Sequence, residues 1–334
     1  MKNPVSILSV GVSSPGGATY GALLDTSCWP VRRVEEVIPG YGVRDVSTID
    51  LSVEPVNRWR LRPRLRRASP LSHHLIEAVS QTLEARPEVD PARVGIVGAF
   101  FLGCVAYSVK FYKGLTDEGR RFASPVLFPE TVANTPLSHV VAELGIGGPV
   151  YSQVGDTSCW TSAIRTAGVW LANGDVDHVI VAGAEEFDVH ELDGFHSVRW
   201  FDKTFPFLLA EGAGAILLGR ENKNSIARIT SVADGFSFRT RTQGRQAAMD
   251  CMALFDPRVA VAETATSWIT PYAAAATAGR TTVPLHTGPK VEAFNASCAW
   301  NTISAARLIQ NESFQSIIVP AWGLSQQIGA LALA

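Results

Sequence analysis

Short apolar, β-branched runs bounded by glycine or polar residues alternate along the chain with longer segments in which apolar positions recur every three to four residues. The runs predict buried strands over 5–13 (VSILSVGVS), 93–100, 149–155, 177–183 and 213–219, with a second set over 225–232, 258–265, 316–322 and 328–333. The longer segments predict helices over 68–85, 129–144, 158–173, 241–255 and 300–310. Each half then reads as strand, helix and strand repeated, with two closing strands. The fold class is α/β, and a duplicated unit is its simplest organisation.

The helix over 158–173 is the best defined. Ala163, Ile164, Ala167, Trp170 and Leu171 form one stripe, Asn173-Gly174 supplies a stop, and Asp156 and Thr157 stand upstream as capping candidates. Cys159 is therefore expected in the first turn of a helix that follows a buried strand. A thiol there meets unpaired backbone N–H groups and the positive end of the helix dipole, both of which favour thiolate. The alternative is a small buried hydrophobe.

Composition narrows the functional classes. With 334 residues, 46% hydrophobic and 18% charged, the chain has the make-up of a globular protein with a large core. A net charge of −2 argues against nucleic acid as the main partner. The five cysteines, Cys28, Cys104, Cys159, Cys251 and Cys298, are odd in number and include no CxxC pair, so neither a disulfide framework nor a zinc site is read from spacing. No run approaches the ~20 apolar residues of a membrane helix, and the N-terminus lacks a signal-peptide pattern. A cytoplasmic protein with no membrane association, metal or cofactor is expected, since the glycine-rich stretches also lack nucleotide-binding spacing.

The residues around Cys159 carry a resemblance. The run 124–187, with GDTSCW at 155–160, resembles the N-terminal half of a β-ketoacyl synthase, in which an Asp-Thr-Ala-Cys-Ser run holds the nucleophilic cysteine. The segment FDKTFPFLLAEGAGAILLG at 201–219 is similar to that family's Phe-Asp…Glu-Gly-Ala-Gly segment, with Asp202 and Glu211 on the acidic positions, and ILSVGVSSPGG at 7–17 resembles its first strand and turn. The resemblance implies a thiolase-like fold: two similar α/β halves in alternating αβαβα layers, usually dimeric. The halves are expected at 1–222, carrying Cys159, and at 223–334, a shortened C-terminal twin.

The C-terminal half departs from the family. Active condensing enzymes carry two histidines there. Here Glu263 or Thr264 falls at the first histidine position and Cys298 at the second, while the usual lysine falls on Ala293, with Lys290 close by. The closing Gly-Phe-Gly-Gly-Thr-Asn turn is replaced by GLSQQI at 323–328. Two imidazoles polarise the thioester carbonyl during decarboxylative condensation, and losing one such donor costs about 10²–10³ in rate. Efficient chain extension is expected to be lost. An acyl thioester on Cys159 needs less: a thiolate, and an oxyanion hole made in part by the Cys159 backbone N–H. Trp160, Glu263 and Leu324 are expected to shape the pocket, Trp160 standing where the family has a small serine, with core packing as the alternative.

Three further features have two readings each. The strip RWRLRPRLRR at 58–67, with Arg58, Arg60, Arg62, Arg64, Arg66 and Arg67, suits an acidic carrier protein or a solvated connector. His190 and His196 have no ligand spacing and read as structural or surface residues. For His286, in a loop, the two readings are a swing toward the site and a structural role. The leading functional reading is a non-extending, chain-length-factor-like subunit that partners an active ketosynthase in fatty-acid or polyketide assembly. The alternatives are an acyltransferase that loads Cys159 from an acyl carrier protein or other acyl thioester without condensation, and a homodimeric protein that binds acyl chains without a covalent step.

Overall fold

The structure is a computed structural model that describes residues 4–33, 45–47, 58–188, 190–191, 194–195, 208–220, 224–265, 271–324 and 327–334. Its elements, in chain order, are β1 (Val5–Ser13), α1 (Gly21–Leu24), β2 (Val31–Arg33), β3 (Asp45–Ser47), α2 (Pro70–Glu84), β4 (Val94–Phe100), α3 (Val105–Asp117), α4 (Thr135–Leu144), β5 (Val150–Val154), α5 (Cys159–Asn173) and β6 (His178–Glu185). They continue with β7 (Leu208–Ala210), β8 (Gly212–Gly219), β9 (Ala227–Ser237), α6 (Arg241–Ala253), β10 (Ala260–Ala262), α7 (Pro271–Thr277), β11 (Thr282–Val283), β12 (Val291–Glu292), α8 (Phe294–Gln310), β13 (Ile317–Trp322) and β14 (Gln327–Leu333).

Ten strands form one sheet in the order β11-β10-β13-β14-β9-β1-β8-β6-β4-β5. Its two ends mirror each other. On one side β5, β4 and β6 are parallel and β8 and β1 follow antiparallel; on the other β11, β10 and β13 are parallel and β14 and β9 follow antiparallel. The two sides join where Val5–Ile7 of β1 pairs with Ala227–Ile229 of β9. The expected duplication is thus written in the strand order. Although the second set is shorter, it keeps all five strands. A small sheet, β12-β7-β3-β2, completes the described strands.

Helices α5 and α8 lie between the two halves: α5 packs on β4 and β6 and also on β9 and β14, and α8 packs on β6 and β8 and also on β13 and β9. Helix α2 covers the outer face of β1, β8 and β6, and α6 covers that of β9 and β14. Three apolar clusters follow, one central and one under each outer layer. This is the five-layer thiolase-like arrangement.

The α5 stripe is buried through Ala163, Ile164, Ala167 and Leu171, with Trp170 partly exposed, and Gly174 closes the helix at φ +78°. Three helices differ from expectation. Helix α8 begins at Phe294 rather than 300 because Phe294–Ala306 are buried on every side, so no polar face marks its start. Helix α3 was not expected; none of its residues is fully buried, and Val105, Val109, Phe111 and Leu115 are half-buried. The expected helix over 129–144 is shorter, with a 3₁₀ turn at Phe128–Thr131 before α4.

Candidate functional site

Strand β5 ends at Val154, and Asp156, Thr157 and Ser158 form a tight turn that delivers Cys159 as the first residue of α5. The Cys159 N–H donates to the Asp156 carbonyl at 2.7 Å, the Trp160 N–H to Thr157 at 3.2 Å and the Thr161 N–H to Ser158 at 3.1 Å. The first-turn donors are therefore satisfied within the turn itself. Neither Asp156 nor Thr157 caps the helix as expected. Ser158 holds the N-cap position without a side-chain capping bond, and Asp156 Oδ1 instead accepts from the N–H groups of Thr157 (2.8 Å) and Leu324 (2.9 Å).

The surroundings of the thiol work against its ionisation. Cys159 is 8% exposed; burial, reinforced by the carboxyls of Glu185 and Asp156, pushes its pKa up to about 12. At neutral pH that leaves about one thiol in 10⁵ ionised. Its Sγ faces Gln153 Oε1 at 3.8 Å. The expected help from the helix N-terminus meets an opposing cause here: the Cys159, Trp160 and Thr161 N–H groups bond within the turn, and burial raises the thiol's pKa.

A second thiol lies alongside. Cys298, in α8, donates to the Thr157 carbonyl at 3.6 Å, and burial with the neighbouring Glu292, Asp156 and Glu185 raises its pKa well above the ordinary thiol range. Glu185, at the end of β6, accepts from the N–H groups of Phe101 (2.6 Å) and Leu102 (3.2 Å), and burial pushes its pKa up to about 8. Asn295 Nδ2 bridges the Gly155 carbonyl (3.3 Å) and Glu185 Oε1 (3.5 Å). Glu292 accepts from the Phe294 N–H at 2.6 Å and is likewise raised by burial, to about 8. Phe294 is held at φ +47°, its ring between Phe101 at 4.9 Å and Phe195 at 5.6 Å.

Of the other expected site residues, Thr264 is 2% exposed. The Glu263 carboxylate accepts from Lys290 Nζ at 3.3 Å and Thr282 Oγ1 at 3.1 Å. Trp160 is buried in the central cluster and donates through Nε1 to Thr302 Oγ1 at 2.9 Å, which places its indole against α8. His286 lines a small cavity of about 20 Å³ with Trp29, Trp300 and Asn301, away from Cys159. In the arginine strip, Arg58 pairs with Glu77 and Arg62 with Glu143, while Trp59 and Leu65 turn inward and Arg60, Arg66 and Arg67 remain exposed. His190 Nδ1 meets Asp188 Oδ1 at 2.5 Å, and Glu211 accepts from the Phe187 N–H at 3.2 Å. Asp202 and His196 lie outside the described residues. Among the described residues no group of three or more His, Cys, Asp and Glu is placed to hold a metal, and no helix is long and apolar enough to cross a membrane.

Sequence reasoning missed Gln153, Glu185, Glu292, Asn295 and Phe294. Only Glu185 left a signal, an acidic pair closing an apolar strand in VIVAGAEEF.

Comparison with known proteins agrees with this architecture. The profile of the β-ketoacyl synthase N-terminal domain matches residues 57–224, half of the chain. No curated protein matches. Among solved structures, the fold is similar to a ketosynthase in complex with its type II polyketide acyl-carrier protein and bound to a hexaketide (TM-score 0.74, 16% identity) and to the ishigamide ketosynthase/chain length factor (0.77, 15%). It is also similar to a β-ketoacyl synthase from Burkholderia phymatum STM815 (0.78, 14%); each comparison covers 99% of both chains. The fold is that of the thiolase-like condensing enzymes. The chain belongs to the β-ketoacyl synthase family.

Proposed function

We propose that this chain is a non-extending, chain-length-factor-like subunit that partners an active ketosynthase in polyketide assembly. The observation that carries the reading is the state of Cys159: a buried neutral thiol, its own N–H engaged, among two carboxyls and a second thiol. A condensing site needs donors for developing negative charge. Asp156 supplies the opposite, and Glu185 and Glu292, each raised by burial to about 8, stand beside the Cys298 thiol without the positive charge an imidazolium brings. The likeness to a ketosynthase/chain length factor structure supports the same reading at the level of fold. So does β5, the outermost strand of the large sheet, with Val150, Tyr151 and Val154 exposed as on an edge awaiting another chain.

The test is co-expression with a ketosynthase from the same gene cluster. The expected result is a stable complex whose product output is unchanged by Cys159→Ala. A homodimer indifferent to that ketosynthase overturns the reading. A second reading, an acyltransferase, is favoured by the cysteine itself, retained at the family's nucleophile position. It requires an acyl adduct on Cys159 by intact mass after incubation with acyl thioesters, and the subunit reading expects none.

A further inference from the structure

We infer that Asp156 is a positioning residue that keeps Cys159 unreactive by latching the 322–324 turn onto the start of α5. The inference deepens the subunit reading and rests on it. Each of the three residues before Cys159 holds one residue of that turn or its flank. Asp156 Oδ1 accepts the Leu324 N–H at 2.9 Å, Thr157 Oγ1 donates to the Trp322 carbonyl at 2.9 Å, and Ser158 Oγ donates to Gln327 Oε1 at 3.2 Å. From the far side, the buried Tyr272 hydroxyl donates to the Gly323 carbonyl. The turn lies so close that a Cβ added at Gly323 would fall 2.6 Å from Asp156 Oδ2.

One residue thus acts on the thiol in two ways. Through its carboxylate, Asp156 takes the Leu324 N–H and holds the turn against the start of α5, while its main-chain carbonyl, which side-chain substitution leaves in place, accepts the Cys159 N–H. It also places a negative charge beside Cys159 and Cys298, which opposes ionisation of either thiol. A buried carboxylate is costly unless hydrogen-bonded, and two N–H donors stabilise this one in place.

The test is alkylation of Cys159 by iodoacetamide in the full chain, resolved by peptide mass over pH 7–10, with Cys28→Ser removing the exposed thiol. Asp156→Ala is expected to raise the rate by about tenfold or more and to move the pH–rate profile to lower pH. Asp156→Asn keeps an acceptor for Leu324 and loses the charge, so it moves the profile with a smaller gain in rate. Tyr272→Phe loosens the turn and keeps the charge, so it raises the rate without moving the profile. A thioester of N-acetylcysteamine should acylate Asp156→Ala and leave the parent chain unmodified.

Parental rates and profile in a folded Asp156→Ala overturn the inference. If that variant does not fold, parental behaviour in both Asp156→Asn and Tyr272→Phe overturns it. Failure of the subunit reading looks different: the parent chain is acylated or ignores the ketosynthase, whatever Asp156 does.

Discussion

Glu185 is a carboxyl that gains more from its proton than from its charge. Sealed at the end of β6, it accepts two main-chain N–H groups, yet burial dominates and raises its pKa from an ordinary 4.5 to about 8. Glu292 is raised to about 8 and Glu186 to about 7 for the same reason. The folded chain keeps protons that the unfolded chain has released, so the stability these groups contribute is complete below pH 4.5 and is lost as pH rises through 7 and 8. The melting temperature should therefore fall between pH 6.5 and 8.5. Glu185→Gln, a permanent mimic of the protonated form, should fall less steeply. An equal slope in the variant would mean that Glu185 is already ionised at neutral pH. None of this was legible in the sequence. The place of Cys159 was, because an apolar run, a polar turn and an Asn-Gly stop are local signals. Its ionisation was not, because burial and Glu185 act on it only through the fold, as does the Leu324 N–H that holds Asp156.

At the scale of elements, legibility followed amphipathicity. Helices α2 and α5, whose apolar residues gather on one face of the sequence pattern, were placed to within a few residues, whereas α8, in which apolar and small polar residues mix around the axis, lost its first turns in the reading. The arginine strip resolves in the same terms. Trp59 and Leu65 anchor it, with Trp59 Nε1 donating to Glu77 at 2.6 Å, and the arginines divide between those that bridge to Glu77 and Glu143 and those that face solvent. Exposed ion pairs add little stability. Arg60, Arg66 and Arg67, exposed and given no ion pair among the described residues, are placed to steer an acidic partner. Replacing all three by glutamate should leave the melting temperature within about 2 °C, as exposed substitutions usually do. It should weaken binding of an acidic acyl carrier protein by about tenfold or more at low ionic strength, and the difference should shrink in high salt. Unchanged affinity in surface plasmon resonance would leave the strip as a solvated connector.

Over the whole molecule, duplication leaves the two ends of the sheet equivalent in topology but not in dress. The C-terminal end finishes on β11, two residues long, and the N-terminal end on β5, five residues long, with Val150 43%, Tyr151 52% and Val154 57% exposed. A long apolar edge is an aggregation hazard for a chain that works alone and a binding surface for one that does not. Alternation puts Tyr151 on the same side as Gln153, whose side chain donates to Thr166 of α5 and accepts from the Cys159 thiol. A strand added here would run beside the altered cysteine site, the geometry required if this chain shapes a site that its partner operates. Tyr151→Lys with Val154→Lys puts charge on the edge without touching the core, so the variant should fold with nearly parental stability. It should also lose ketosynthase association by about tenfold or more in analytical ultracentrifugation. A variant that still binds at parental strength would place the partner on another face and remove β5 from the interface.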